Sequence, residues 1–94
     1  MLEINLKDKI KLTKDYMLHK VDGENPAFFL FNIASGKMFK LNTTTYNFLS
    51  MCDGTRSISS IMTTLAKDYQ VDYQHVEKDF LPLIKKWFEL NILS

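Results

Sequence analysis

The side chains able to do chemistry are few and widely separated. The two histidines, His19 and His75, lie far apart along the chain, and neither has a second ligand at the spacing of a metal site. Cys52 is the single cysteine. As a nucleophile it would need a base and electropositive surroundings, whereas its position on an apolar helical stripe favours a buried core thiol. The acidic residues are scattered beside lysines, as on a solvated surface. We therefore expect no catalysis, no metal and no cofactor.

Size and charge narrow the class of protein further. The chain has 94 residues, of which 46% are hydrophobic and 13% aromatic. This allows one small folded domain and excludes a multidomain enzyme. Twelve Lys+Arg and eleven Asp+Glu give a formal net charge of +1, which offers no electrostatic case for binding nucleic acid or membranes. We predict a single domain over residues 1–94, in which residues 1–13 can form a flexible N-terminal segment.

The compartment follows from cysteine usage and hydropathy. One cysteine cannot form an internal disulfide, and the N-terminal residues contain no continuous apolar core like that of a signal peptide. No stretch approaches the roughly 18 apolar residues that a membrane span requires. The sequence predicts a cytoplasmic domain without a membrane partner.

The first half of the chain has the pattern of a β-meander. Three short segments separated by turn residues are predicted strands, at residues 16–21, 27–32 and 37–41. In the third, a period of two places Phe39 and Leu41 on one face and Met38 and Lys40 on the other. A three-stranded antiparallel sheet is the simplest arrangement.

The second half has helical periodicity. Asn42 is a predicted N-cap, and Asp53-Gly54 ends the first helix, with Gly54 suited to a left-handed conformation. Ser57 caps a second helix, and Asp72 caps a third that runs to about residue 90. The predicted fold is therefore α+β, with a three-stranded antiparallel sheet followed by three helices.

The third helix has more apolar surface than one buried face needs. One stripe contains Val76, Phe80, Leu83, Trp87 and Leu90. Leu81, Ile84 and Phe88 widen it to about half of the circumference. Two interpretations stay open: the whole arc is core, or part of it is a groove for a partner segment. Pro82, inside this helix, either kinks or divides it.

Helices two and three are also typical of a helix-turn-helix, so DNA binding is an alternative. Tyr73, Gln74 and His75 could reach base edges from the start of a recognition helix. However, residues 72–90 contain three lysines and four acidic residues, a sum of −1. Such a helix lacks much of the phosphate attraction that dominates affinity for DNA, and the charge argues against this function.

Four motifs, in order, resemble the PqqD family of small proteins named for pyrroloquinoline quinone biosynthesis. They are KLNTTT at residues 40–45, CDGTRSISSI at 52–61, DYQVD at 68–72 and LNIL at 90–93. Asn91 replaces the family's usual glycine in the last motif and can still adopt a left-handed cap. Pro82 is a departure from the pattern. The resemblance covers about residues 14–94.

The resemblance implies a stand-alone precursor-peptide recognition element with a winged helix-turn-helix fold. Such domains bind the leader of a ribosomally synthesised peptide and present it to a modifying enzyme, commonly a radical S-adenosylmethionine enzyme or, in other pathways, a leader protease. The leader is held as an added strand, antiparallel to strand three and beside helix three. The excess apolar surface of helix three is compatible with this mode.

The expected binding site combines strand pairing with a side-chain cleft. Backbone groups of residues 37–40 would pair with the leader. Apolar leader residues would enter a cleft lined by Phe39, Val76, Phe80, Leu83 and Ile84. Lys37 and Lys40 could attract leader acids, or they could simply protect the edge from unwanted pairing, and Asp79 could meet a leader base. The candidate peptide-binding residues are Lys37, Met38, Phe39, Lys40, Val76, Asp79, Phe80, Leu83 and Ile84, although Val76 and Phe80 could equally be structural.

Two further alternatives stay open. A structural subunit of a larger enzyme would pack its apolar arc on a fixed partner and would bind no free peptide. A homodimer could also form, because exposed strand edges of small domains can pair with each other.

Overall fold

The change of hydrophobic period after Leu41 divides the chain, and the computed structural model, which describes residues 4–94, follows that division. The strands are β1 (Lys9–Lys11), β2 (Tyr16–Val21), β3 (Ala27–Asn32), β4 (Met38–Leu41) and β5 (Asp53–Ser57). The helices are α1 (Thr43–Ser50), α2 (Ile58–Asp68) and α3 (Tyr73–Glu89). The predicted α+β class, with a three-stranded antiparallel sheet and three helices, is confirmed.

The larger sheet has the order β2-β3-β4 with antiparallel pairing throughout. Leu18 pairs with Leu30, which in turn lies opposite Phe39, so these three side chains share one face. Leu30 is only 3% exposed and belongs to the core. This inner face packs towards the helices, and β4 forms one edge of the sheet.

The helix starts follow the predicted caps, with one difference. Asn42 Oδ1 accepts a hydrogen bond from the Thr45 N–H at 2.7 Å, and Ser57 Oγ accepts one from the Ser60 N–H at 3.1 Å. Both bonds satisfy amides that the first helical turn leaves free. Asp72 occupies the N-cap position of α3 but makes no side-chain capping bond. Its carboxylate still favours the helix through its charge near the N-terminus.

The hydrophobic core lies between the three helices and the inner face of the sheet. Phe48 of α1 stacks on Phe80 of α3 with ring centroids 4.8 Å apart, and Trp87 lies 5.6 Å from Phe48. Ile84 is fully buried in the same core. These contacts fix which face of α3 points inward.

A second, two-stranded sheet was absent from the prediction. β1 pairs antiparallel with β5, and Ile10 of β1 is 1% exposed. Of the segment predicted to be flexible, residues 9–11 are therefore paired and packed, whereas residues 1–3 lie outside the described residues. The sequence pattern missed both strands because β1 has three residues with one apolar side chain, and β5, with the sequence DGTRS, has none.

Gly54 and Asn91 were both predicted to adopt a left-handed conformation at the end of a helix, and only Asn91 does so at that place. Asn91, after α3, has φ 59°, so the prediction of a left-handed cap there is confirmed. Gly54 also has a positive φ, of 86°, but it lies inside β5, where the pairing with β1 changes register. Met51, in right-handed geometry, is the C-cap of α1, so the prediction that Gly54 ends the helix is wrong.

Helix α3 continues without a break through Pro82, so the proline does not divide it. Pro82 has no N–H to offer the carbonyl of Lys78. Both residues are exposed, and water can therefore bond to that carbonyl. None of the helices among residues 4–94 is long and apolar enough to cross a bilayer.

Candidate functional site

The outer edge of β4 presents free backbone groups. In the described part of the chain, β4 has β3 on one side and no strand on the other. The Asn32 N–H donates to the Lys37 carbonyl at 2.8 Å, which identifies this opposed pair as hydrogen-bonded. Since such pairs alternate along an antiparallel ladder, the backbone groups of Phe39 also point to β3. Those of Met38 and Lys40 therefore point outward, to the free edge.

An apolar cleft lies beside this edge, between the sheet and α3, with a volume of about 360 Å³. Its lining consists of Tyr16, Leu30, Phe39, Leu41, Leu83, Lys86, Trp87, Leu90 and Ile92. Phe39 is 46% exposed, Leu83 37% and Leu90 51%. Large apolar side chains with this exposure around one concavity offer surface that an apolar ligand could cover.

The structure separates the predicted apolar site residues into two groups. Phe39 of β4 and Leu83 of α3 meet across the cleft. Val76, Phe80 and Ile84 are buried in the core and do not line it. They pack inward because they lie on the side of α3 that faces α1 and α2. Sequence periodicity gave one wide apolar arc and could not show which part of it the other helices cover.

Four lining residues of the C-terminal part were missed as site residues: Lys86, Trp87, Leu90 and Ile92. Trp87 and Leu90 follow Leu83 at the spacing of one helical stripe, which is the signal that could have identified them. Lys86 is the one charged side chain of the lining. It lies three residues after Leu83 and therefore on nearly the same face.

The predicted charged residues lie around the cleft rather than inside it. Lys37 and Lys40 are exposed at the β4 edge. Asp79 is exposed, and its Oδ2 lies 3.4 Å from His75 Nε2. It lines a neighbouring cavity of about 220 Å³, together with Thr44 at the start of α1.

The outer face of the sheet is a second apolar surface. Met17, Phe31 and Met38 lie opposite one another on this face, and with His19 they line a shallow cavity of about 280 Å³. Met17 and Met38 are about half exposed, at 47% and 51%. The sequence indicates this surface through the apolar run of β3, which places apolar side chains on both faces of the sheet.

The titratable groups give little support to covalent chemistry. Burial, with a smaller contribution from the neighbouring Asp53 carboxylate, raises the pKa of the Cys52 thiol to about 12. Such a thiol is protonated at neutral pH and a poor nucleophile. Within residues 4–94, no three His, Cys, Asp or Glu side chains cluster as a metal site would require. The arrangement provides a free strand edge and an apolar cleft, which suit the binding of an extended peptide.

Comparison with known proteins identifies one family. Residues 28–93 match the sequence profile of the family described as coenzyme PQQ synthesis protein D (PqqD). The match begins in β3 and includes β4, the three helices and every lining residue of the cleft except Tyr16. Among curated proteins, no sequence matches significantly.

Two solved structures share the fold. One is the solution NMR structure of the PqqD truncation of PqqCD from Methylobacterium extorquens, a stand-alone recognition element for ribosomally synthesised and post-translationally modified peptides. It is 22% identical with a TM-score of 0.76, over 98% of this chain and 95% of that one. The other is TbiB1 in complex with the TbiA(beta) leader peptide, at 17% identity and a TM-score of 0.69, over 89% of this chain and 94% of that one.

Proposed function

The chain belongs to the PqqD family by its match over residues 28–93, and on this premise we propose that it binds the leader segment of a ribosomally synthesised precursor peptide. The observation that supports this most directly is the free edge of β4 beside an apolar cleft. The two structural relatives agree with such a role, because one is a recognition element and the other is a complex with a leader peptide. In this proposal the domain binds and does no chemistry itself.

Strand addition to β4 would supply the backbone part of the binding. Met38 and Lys40 direct their N–H and C=O groups to the free edge, so an added strand can bond to two donors and two acceptors there. These bonds would hold the leader along the edge without reading its sequence. An antiparallel leader continues the antiparallel order of the sheet.

The cleft would supply the selectivity. Every second side chain of an added strand faces α3, and an apolar one can insert between Phe39 and Leu83. Full burial of a leucine-sized side chain contributes about 1.5–3 kcal/mol. A micromolar Kd corresponds to about −8 kcal/mol, and ordering a flexible leader opposes binding. Several cleft contacts are therefore needed, which the length of the lining can provide.

The remaining candidate residues receive supporting roles in this proposal. Val76, Phe80 and Ile84 anchor α3 to the core and so hold the cleft open at a fixed width. Lys37 and Lys40 attract leader acids, and Asp79 attracts a leader base. After binding, the domain presents the leader to a modifying enzyme, either a radical S-adenosylmethionine enzyme or a leader protease.

The test is a substitution in the cleft at a residue that the fold does not need. Leu83→Asp places a charge in the cleft at a side chain that is 37% exposed, so the fold should persist. We expect at least a tenfold weaker Kd for the leader of a short precursor sought in the neighbouring reading frames, followed by the change in fluorescence of the single tryptophan, Trp87, which lines the cleft. Val21→Asp, at a 45% exposed residue ending β2, is the matched control and should bind normally.

Equal loss of binding in both variants would contradict this site. A protein that binds no leader at all, yet copurifies with a partner through the same cleft, would instead be a structural subunit.

A further inference from the structure

The rim of α3 beside the cleft carries charges in a fixed order. Asp79, Leu83, Lys86 and Leu90 follow the i, i+4, i+7, i+11 spacing and form one stripe. Leu83, Lys86 and Leu90 line the cleft, and Asp79 lines the adjoining cavity one turn earlier. The rim is therefore acidic at the N-terminal end of the helix and basic towards its C-terminal end.

The direction of β4 relative to this rim follows from the shared cavities. Phe39 borders the same cleft as Lys86 and Leu90, late in α3. Thr44, just beyond the C-terminal end of β4, borders a cavity with Asp79, early in α3. β4 and α3 therefore run in opposite directions, with the N-terminal end of β4 beside the C-terminal end of α3.

Other contacts agree with that direction. Tyr16 lies opposite Asn32, whose N–H donates to the Lys37 carbonyl, so Tyr16 marks the N-terminal end of β4. Tyr16 also borders the cleft together with Leu90 and Ile92, from the C-terminal end of the chain. Lys37 thus belongs to the same end of the cleft as Lys86, and this end has two lysines.

The two ends consequently differ in charge. At one end are Lys37 and Lys86, and at the other is the exposed Asp79 carboxylate, which His75 Nε2 approaches to 3.4 Å from the preceding turn. An antiparallel strand on β4 runs parallel to α3. Its N-terminal part would lie beside Asp79 and its C-terminal part beside the two lysines.

We propose that the cleft selects leaders by the order of their charges: a basic residue, then an apolar anchor, then an acidic residue, from N- to C-terminus. This rests on the proposed strand addition. The seven-residue step from Asp79 to Lys86 spans about 10 Å of helix. A strand covers about 13 Å in four residues, and its side chains face the cleft at every second position. The matching pattern is therefore base-x-apolar-x-acid. The strand spacing of about 13 Å exceeds the helix spacing of about 10 Å, and the long side chains of the charged residues can cover this difference in length.

Two synthetic peptides test the order without knowledge of the natural leader. Both are acetylated and amidated nonapeptides of identical composition, with the core Arg-Thr-Leu-Thr-Glu in one and Glu-Thr-Leu-Thr-Arg in the other, each flanked by Ser-Thr on both sides. Quenching of Trp87 reports occupancy of the cleft. We expect the base-first peptide to bind up to about tenfold more tightly at low ionic strength, and the difference to shrink with added salt.

A protein variant with the two rim charges exchanged tests whether the order of charges is recognised or whether the peptides are attracted only by overall charge. The double variant Asp79→Lys, Lys86→Glu should reverse the preference between the two peptides. Lys85→Glu makes the same change in charge as Lys86→Glu one residue away, outside the cleft lining, and should preserve the preference.

Equal binding of both peptides, or an unchanged preference in the double variant, would overturn the inference while leaving leader binding intact. If neither peptide changes the fluorescence of Trp87 or the NMR amide shifts of β4 and α3, and a leader from a neighbouring reading frame changes neither signal, both the inference and the proposed function are wrong.

Discussion

At the residue scale, Cys52 illustrates how burial determines reactivity. The thiol is 5% exposed, its Sγ donates to the Phe48 carbonyl at 3.4 Å, and its pKa is raised by burial to about 12. At pH 8 the thiolate fraction is then about a thousandfold lower than for a thiol at the ordinary value of 9.0. We expect iodoacetamide to alkylate the native protein at least that much more slowly than the urea-unfolded chain, followed by mass spectrometry.

The same shift predicts a dependence of stability on pH. Folding favours the protonated thiol, so its stabilising contribution is complete below pH 9 and is lost as pH rises from 9 towards 12. Urea unfolding of wild type and Cys52→Ala at pH 7 and pH 10.5 should show the smaller alkaline loss in the variant. Equal losses would mean that the thiol titrates normally in the native state.

The apolar side chains of the site show which contacts the sequence pattern could predict and which it could not. Phe39 and Leu83 were predicted to line a cleft, and the structure brings them together across it. Val76, Phe80 and Ile84 belong to the same apolar arc in sequence but are buried. The hydrophobic period of the sequence predicts how wide the apolar arc of α3 is. Which part stays open depends on how α1 and the sheet pack, and only the tertiary structure supplies that.

At the scale of elements, β4 provides a test that distinguishes backbone pairing from charge. Lys40→Pro removes an N–H that faces the free edge and leaves the bonds to β3 intact. We expect the fold to persist and the Kd for the leader to rise about tenfold, since one hydrogen bond is lost and an added strand meets the proline ring. Tryptophan quenching measures the affinity, and circular dichroism checks the fold.

Lys40→Ala is the matched control, because it removes the charge but keeps the N–H. If the alanine variant loses as much affinity as the proline variant, the lysine charge, and not strand addition, accounts for binding at this edge.

The elements themselves were predicted unevenly. β2 and β3 agree with the predicted segments because short runs of strand-forming residues end at clear turns, and α1 and α2 begin at the predicted caps. β1 was missed because its alternation covers only three residues with one apolar side chain, and β5 was missed because its sequence has no apolar residue. Both strands are stabilised by their pairing with each other. Short strands of this kind depend on tertiary contacts more than on local pattern.

At the scale of the whole molecule, the N-terminal strand is predicted to contribute to global stability. Ile10 is 1% exposed in the core, so Ile10→Ala leaves a cavity and should lower the free energy of unfolding by about 2–4 kcal/mol. Lys9→Ala, at an exposed position of the same strand, should change it by less than about 0.5 kcal/mol. Urea denaturation followed by tryptophan fluorescence measures both. Equal, small effects would show that β1 is peripheral to the cooperative unit.

The overall charge gives no support to DNA binding. The formal net charge is +1, and α3 has as many acidic residues as lysines. Without a basic surplus, phosphate attraction cannot dominate binding. A free strand edge beside an apolar cleft suits the binding of an extended peptide.

Amide hydrogen exchange, with and without the leader, tests strand addition to β4 most directly. In the free protein, the outward-facing amides of Met38 and Lys40 should exchange rapidly, whereas those of Phe39 and Leu41, bonded to β3, should be protected. Bound leader should slow exchange at Met38 and Lys40 by at least tenfold and restore an unbroken run of protection along the strand. Saturating leader that leaves these two amides exchanging as before would contradict the account.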